Sequence, residues 1–374
     1  MCSLGTAPEC PGPRPAAGAQ RGEPTARPPS KNPRPRVRRR RKALAPEAPA
    51  ARDLGEFGLI RRIREAVPPD RPPLLLGPGD DAALLAVPPG EAAVLTVDTL
   101  NEGVHFDLRW MPPFDLGRRA QVQSLSDIAA MGARPLGAVV ALCLRPDTGL
   151  DFFDGLLAGL LDAAREYRCP LAGGNLARSP GGGISISTST LGSVVPGAAL
   201  RRDAARPGHE VWITGVPGSA SAGLSLLLGG EDPAGKHLLV RRFLRPVPRL
   251  SEAAFLRDAG GACAAIDLSD GLRRCAALLA GDSRVRAVLD ASLFPRDASL
   301  LAAGEAAGKD PASWALDGGE DFELLVTAPP GAIGRVRDRF ERKFSLPLTR
   351  IGSVEEGEGL EVRNDPGGVE FTHF

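Results

Sequence analysis

The sequence predicts an α/β (α+β) fold in which strands and helices alternate along two consecutive domains. Three observations carry that expectation. Apolar runs of strand length, such as residues 136–144 and 184–190, alternate with stretches of helical spacing such as 151–167. Glycines and acids gather repeatedly at the ends of those runs. The chain has 374 residues, 43% apolar and 24% charged, with a net charge of +1. That is a soluble composition, long enough for two cores and without a global pull toward nucleic acid or membrane.

The average conceals a basic first segment. Residues 1–52 are rich in Pro, Ala and Arg and contain Arg36-Val37-Arg38-Arg39-Arg40-Arg41-Lys42. Such a segment buries too little apolar surface to offset its ordering entropy, so disorder is expected there. The run could meet RNA, anionic lipid or an import receptor; a solvated tail is the expected state. No apolar core follows the charges as a secretory signal requires. Nothing is apolar for long enough to span a bilayer. Cys2, Cys10, Cys143, Cys169, Cys263 and Cys275 form no C-x-x-C pair, which suits a reducing cytoplasm. The expected division is 1–52 as extension, 53–196 as N-terminal domain and 197–374 as C-terminal domain.

Along the chain, Phe57, Ile60, Ile63 and Val67 mark a helix that Pro68-Pro69 stops. Gly77-Pro78-Gly79-Asp80-Asp81 reads as a turn, and residues 84–95 as strand, turn and strand around Pro88-Pro89-Gly90. Thr96-Val97-Asp98 then sets an acid at a strand end. Asp115 is the expected N-cap of the next helix and Gly132 its C-cap. Inside that helix Asp127 lies among Leu125, Ile128, Ala129 and Met131. It needs a metal or an Arg if buried, and none if it faces solvent. Gly173-Gly174-Asn175 follows the strand expected over 169–172, as a phosphate seat or a plain turn.

In the second half, Gly215-Val216-Pro217-Gly218 joins the strand 210–214 to an Ala/Leu helix. This is a loose phosphate-loop pattern without the Lys-Ser/Thr of a Walker motif. Asp267-Leu268-Ser269-Asp270-Gly271 ends another strand, with Asp270 a possible helix cap. Gly318-Gly319-Glu320-Asp321-Phe322-Glu323 leads from a turn into the next strand. Clustered carboxylates suit Mg²⁺, which takes hard oxygen ligands from a few acids, waters and substrate phosphates. His/Cys metal spacing and a nucleophile elbow are both missing.

Five segments together resemble the thiamine-monophosphate kinase family, of the superfamily that includes aminoimidazole ribonucleotide synthetase. They are Gly79-Asp80-Asp81-Ala82-Ala83, the run from Asp98 to Phe106, the run from Leu125 to Gly132, the run from Ile266 to Leu272 and that from Gly318 to Leu324. The Gly55-Glu56-Phe57 start and the His373-Phe374 ending favour the kinases over their relatives. The resemblance implies a two-domain synthetase-like fold whose N-terminal domain dimerises. It implies ATP-dependent phosphorylation of thiamine monophosphate to thiamine diphosphate with several Mg²⁺ ions. By resemblance, Asp81, Thr96, Val97 (through its backbone), Asp98, Asp127, Asn175, Asp267 and Asp270 hold the ions. Gly174, Asn175, Arg202 and Ser269 would contact ATP, and His105, Glu320 and Phe371 the substrate. Three positions depart from the family: Asn175 replaces an Asp, Ser124 an Asn, and His209 an Asp. Asn175 keeps open a weakened nucleotide- or thiamine-phosphate-binding homologue, and another ATP-using synthetase of the superfamily, with a different substrate end, is the second alternative.

Overall fold

In the computed structural model the residues described are 49–234 and 237–367. The expectations for the basic extension, for Cys2 and Cys10 and for Phe371 lie outside them.

The first half runs α1 (Ala51–Ala66), β1 (Leu74–Leu76), β2 (Leu84–Leu85), β3 (Ala92–Asn101), α2 (Pro113–Ala130), β4 (Arg134–Leu144), α3 (Leu150–Glu166), β5 (Leu171–Arg178) and β6 (Ser185–Val194). Its main sheet has the order β3-β6-β4-β5, parallel at β4–β5 and antiparallel elsewhere. Helices α2 and α3 cover one face. They cross where Gly117 and Gly159 meet: a Cβ on Gly117 would stand 2.1 Å from the Leu156 carbonyl oxygen, and one on Gly159 1.9 Å from that of Phe114. Only hydrogen fits between the two backbones. Arg118, paired to Asp162 and Glu166, holds the same crossing from its rim.

The second half runs β7 (Glu210–Thr214), α4 (Ser219–Leu228), α5 (Leu238–Leu244), α6 (Leu250–Asp258), β8 (Ala264–Asp267), α7 (Leu272–Ser283), β9 (Arg286–Asp290), α8 (Ala298–Ala307), α9 (Pro311–Asp317), β10 (Leu324–Ala328), α10 (Arg337–Phe344), β11 (Leu348–Glu355) and β12 (Gly359–Arg363). Its sheet has the order β12-β9-β11-β7-β10-β8, parallel at β12–β9 and antiparallel elsewhere. Both faces are covered. Val211, Ile213, Ile266 and Leu325 pack with Cys275 and Leu279 of α7 in one core, while Trp212, Leu324 and Val326 pack with Phe255 and Phe340 in another. The α/β (α+β) expectation therefore holds, with antiparallel pairing dominating both sheets.

Four local expectations are corrected. Pro112 and Pro113 start α2 two residues before Asp115, since proline has the φ of a first helical turn, so Asp115 is inside the helix. Strand β3 continues through Asp98 to Asn101 because β6 pairs with it over its full length. Strand β5 likewise continues through Gly173-Gly174-Asn175, paired to β4. Phe57 is 81% exposed, because α1 is interrupted at Gly55 (φ 64°) and turns Leu59, Ile63 and Val67 to the core instead. Gly132, at φ 63°, does close α2 as expected, with Ala133 N donating to Ile128 O at 3.0 Å.

Candidate active site

Helix α2 places the site. Asp115, Arg119 and Ser126 recur at i, i+4 and i+11, one stripe of the helix, and all three are buried polar residues. Each reaches a residue of the second half: Arg245 Nε donates to Asp115 at 2.5 Å, Arg119 pairs with Glu320, and Ser126 Oγ donates to Asp267 at 2.8 Å. Asp127, one residue on, turns toward β3 and accepts from Thr96 Oγ1. The helix thus ties β3 of one sheet to the end of β8 of the other.

Asp98, Asp127 and Asp267 meet at this junction. Burial raises all three carboxyls, and repulsion adds to it at two of them: Asp98 is pushed to about 7 by burial and then by Asp127, and Asp267 to about 7 by burial, Asp127 and Asp98. Thr96 and Arg202 lower Asp127, while Ser126 and Arg202 lower Asp267. Among the described residues no three His, Cys, Asp or Glu stand close enough to enclose a metal ion. Mg²⁺ is usually held by one or two carboxylates with waters and phosphate oxygens. Carboxylates that repel one another, with the Thr96 hydroxyl beside them, have the donor chemistry for that cation.

The other expected residues stand elsewhere. Asp81 is exposed beside Asp80, whose carboxylate accepts its N–H at 2.8 Å, and the turn lies against Arg64 of α1. The Val97 side chain is 62% exposed on the outer face of β3. Gly174 shares the inner-face row of Asp98, Thr188 and Val140, whereas Asn175 pairs with Ala141 in the outer-face row of Ser187 and is exposed. His105 follows β3, its Nδ1 accepting from Asn101 N at 3.1 Å. Asp270 precedes α7, whose N-cap is Gly271, and pairs with Arg274 at 3.4 Å. Ser124 is buried and shares a 2.7 Å hydrogen bond with Thr190, so that departure has a structural role. His209 sits in the turn before β7, 3.4 Å from Thr327 Oγ1.

The segment 318–323 is anchored residue by residue. Its backbone continues the β8–β10 pairing: Glu320 N donates to Ser269 O at 2.8 Å and Phe322 N to Leu268 O at 3.0 Å. The two loops touch so closely that a Cβ on Gly319 would lie 2.3 Å from Ser269 O, and one on Gly271 2.0 Å from Gly318 O. The Asp321 carboxylate accepts from Gly218 N at 2.6 Å and Ala220 N at 2.8 Å. An internal carboxylate therefore occupies the helix N-terminus that the loose phosphate-loop pattern offered. Glu323 is buried and held by Nε and Nη2 of the Arg249 guanidinium and by Thr214 Oγ1. Arg119, Asp321 and Arg249 were not singled out from sequence; the recurrence of Asp115, Arg119 and Ser126 on one helix face was the available signal for the first. A cavity of about 1600 Å³ is lined by Tyr167, Leu250 and Phe344 among others, and none of the three converging acids lines it.

Residues 79–194 match the family described as AIR synthase related protein, N-terminal domain. Over 324 residues, 85% of this chain and 96% of the relative, the sequence is 36% identical to the thiamine-monophosphate kinase of Salmonella typhimurium. The chain belongs to the thiamine-monophosphate kinase family. This kinase is also similar in structure to the thiamine-monophosphate kinase of Stenotrophomonas maltophilia, with a TM-score of 0.72 and 37% identity over 82% of this chain and 95% of that one. A second solved structure, AaThiL complexed with AMPPCP and TMP, matches with a TM-score of 0.67 and 34% identity over 86% and 98% of the two chains. Membership makes the protein a phosphotransferase, and the acids of the junction are its candidate metal and nucleotide ligands. Among the described residues of the kinase no helix is long and apolar enough to cross a membrane.

Proposed function

We propose that the kinase transfers the γ-phosphoryl group of ATP directly to the phosphate of thiamine monophosphate, giving thiamine diphosphate and ADP. The observation that carries this reading is the convergence of Asp98 and Asp127 from one half with Asp267 from the other, beside Arg202. Donor and acceptor are both anions, and two unit charges about 4 Å apart repel by about 4 kcal/mol at an effective dielectric near 20. Mg²⁺ would supply the positive charge that offsets that repulsion. Asp98, Asp127 and Asp267 would hold such ions, one or two acids to each, with Thr96 and the Val97 backbone beside them. Asp81, Asn175 and Asp270 enter through the family resemblance, as do Gly174 and Ser269 for ATP and His105 for the substrate. Arg202 offsets the developing charge, and Ser126 and Thr96 keep two of the carboxylates aimed. The acceptor phosphate is already a nucleophile, so no side chain has to form a covalent intermediate.

The outer face of β3 and β4 exposes Leu95, Val97 and Val139, a sheet face suited to a second copy, so the working form is proposed to be a homodimer. The two sheets support domains at 53–196 and 197–374. Four cysteines are free thiols among the described residues, in keeping with a cytoplasmic setting. Incubation with ATP, Mg²⁺ and thiamine monophosphate should yield thiamine diphosphate and ADP in equal amounts. Chiral γ-phosphate should emerge inverted; retention, or a trapped phosphoprotein, would defeat direct transfer. Asn175→Asp lowering the Mg²⁺ requirement would add that position to the metal site, and an unchanged requirement would remove it.

A further inference from the structure

We infer that Arg119 is a positioning residue for the substrate end of the site: it fixes one oxygen of the Glu320 carboxylate and leaves the other to accept a hydrogen bond from the thiamine ring system. The inference rests on the reading of Glu320 as a substrate contact and names the group that aims it.

Arg119 has no solvent exposure. A guanidinium in that setting requires compensation, because an uncompensated buried charge is among the most destabilising features a fold can carry. Its compensation is specific. One terminal nitrogen donates to Glu320, the other to the Phe243 carbonyl, and the group lies 4.8 Å above the Phe243 ring. These contacts fix the guanidinium in position and plane, which a flexible ammonium would not match.

Glu320 is prepared from its other side. It has φ +67°, a left-handed conformation uncommon for a side chain of this size. Its N–H is held by Ser269 O, and Gly319 behind it has no room for a Cβ. The main chain is therefore settled, and only the side-chain torsions remain for Arg119 to fix. The bond to Arg119 uses Oε2. Oε1 has no hydrogen-bond partner among the described residues, and the side chain is 27% exposed. A carboxylate anchored by one oxygen and open at the other accepts from a ring amino group. Because Arg119 cancels most of its charge, it recognises by hydrogen-bond direction more than by attraction of the thiazolium cation.

The test compares KM for thiamine monophosphate, KM for ATP, kcat and melting temperature in the full chain and in Glu320→Ala, Arg119→Lys and the double variant. Lysine keeps the buried charge but cannot reach Glu320 and the Phe243 carbonyl together. Glu320→Gln replaces Glu320→Ala if the latter melts below assay temperature. Arg119→Lys should raise the thiamine monophosphate KM about tenfold relative to the ATP KM, and should add less than about twofold once Glu320 is gone. An equal rise with and without Glu320, or a fall in kcat and melting temperature with both KM values moving together, would make Arg119 a strut only and overturn the inference. If Glu320→Ala leaves the thiamine monophosphate KM alone, the underlying reading of Glu320 fails first, and the inference with it.

Discussion

Arg249→Met removes the cation beside a buried carboxylate. In the native protein Arg249 Nε donates to Glu323 Oε2 at 2.8 Å and Nη2 to Oε1 at 2.5 Å, while Thr214 Oγ1 adds a third bond at 2.6 Å. Glu323 is 6% exposed, and Glu252 stands 3.6 Å from the same guanidinium. Methionine fills a similar volume but leaves two acids facing each other without compensation. Breaking a buried pair by deleting one partner costs about 3–5 kcal/mol. The pH dependence follows. Burial raises the Glu252 carboxyl while Arg249 lowers it, so without Arg249 it stands further above its unfolded value of about 4.3, and between that value and the raised one the native state binds more protons than the unfolded state. Stability of the variant therefore falls as pH rises, and the penalty is larger at pH 8 than at pH 5. Urea unfolding at both pH values measures it, and Arg249→Met/Glu323→Gln should recover much of the loss. A penalty under about 1 kcal/mol at pH 8, or a double variant no more stable than Arg249→Met alone, would refute the reasoning.

Three further outcomes are expected. Because Asp98 and Asp267 are pushed to about 7, first by burial and then by neighbouring acids, both lose their protons between pH 6 and 8; the ionised form holds the cation, so apparent Mg²⁺ affinity in the turnover assay should rise about tenfold or more over that range, and a flat response counts against these acids. Asp321→Ala leaves Gly218 N and Ala220 N unsatisfied at the start of α4 and should cost about 1–3 kcal/mol in unfolding experiments; a neutral effect would mean that water caps the helix equally well. Leu95→Glu/Val97→Glu places charge on the exposed face of β3 and should yield a monomer by light scattering at concentrations where the parent is a dimer, whereas an unaltered mass would locate any dimer contact elsewhere.

The acid-bearing segments were legible because each couples short-range chemistry to a local pattern. Apolar runs gave β7 and β8 to the residue and β4 to within two, whereas β6 runs four residues beyond the expected 184–190, and Asp127 stood out as an acid among apolar neighbours with its burial left open. Long-range pairing is what the pattern cannot carry. Strand β3 passes through Asp98 because β6 continues opposite it, and β5 passes through Gly173 and Gly174 because β4 does. Gly215-Val216-Pro217-Gly218 resembles an anion seat and is one, but its anion is Asp321, a hundred residues away along the chain. Arg119 was silent for the same reason: its partners come from α5 and from the loop before β10.

The central claim is that acids from both halves serve one Mg²⁺–nucleotide site. Calorimetric titration of AMPPCP with Mg²⁺ into the parent, Asp98→Asn, Asp267→Asn and the double variant tests it most directly. Each single change should weaken metal-dependent binding, and the double variant should lose less than the sum of the two, since both act on one cluster. A single variant that binds like the parent, or two losses that simply add, would contradict the account.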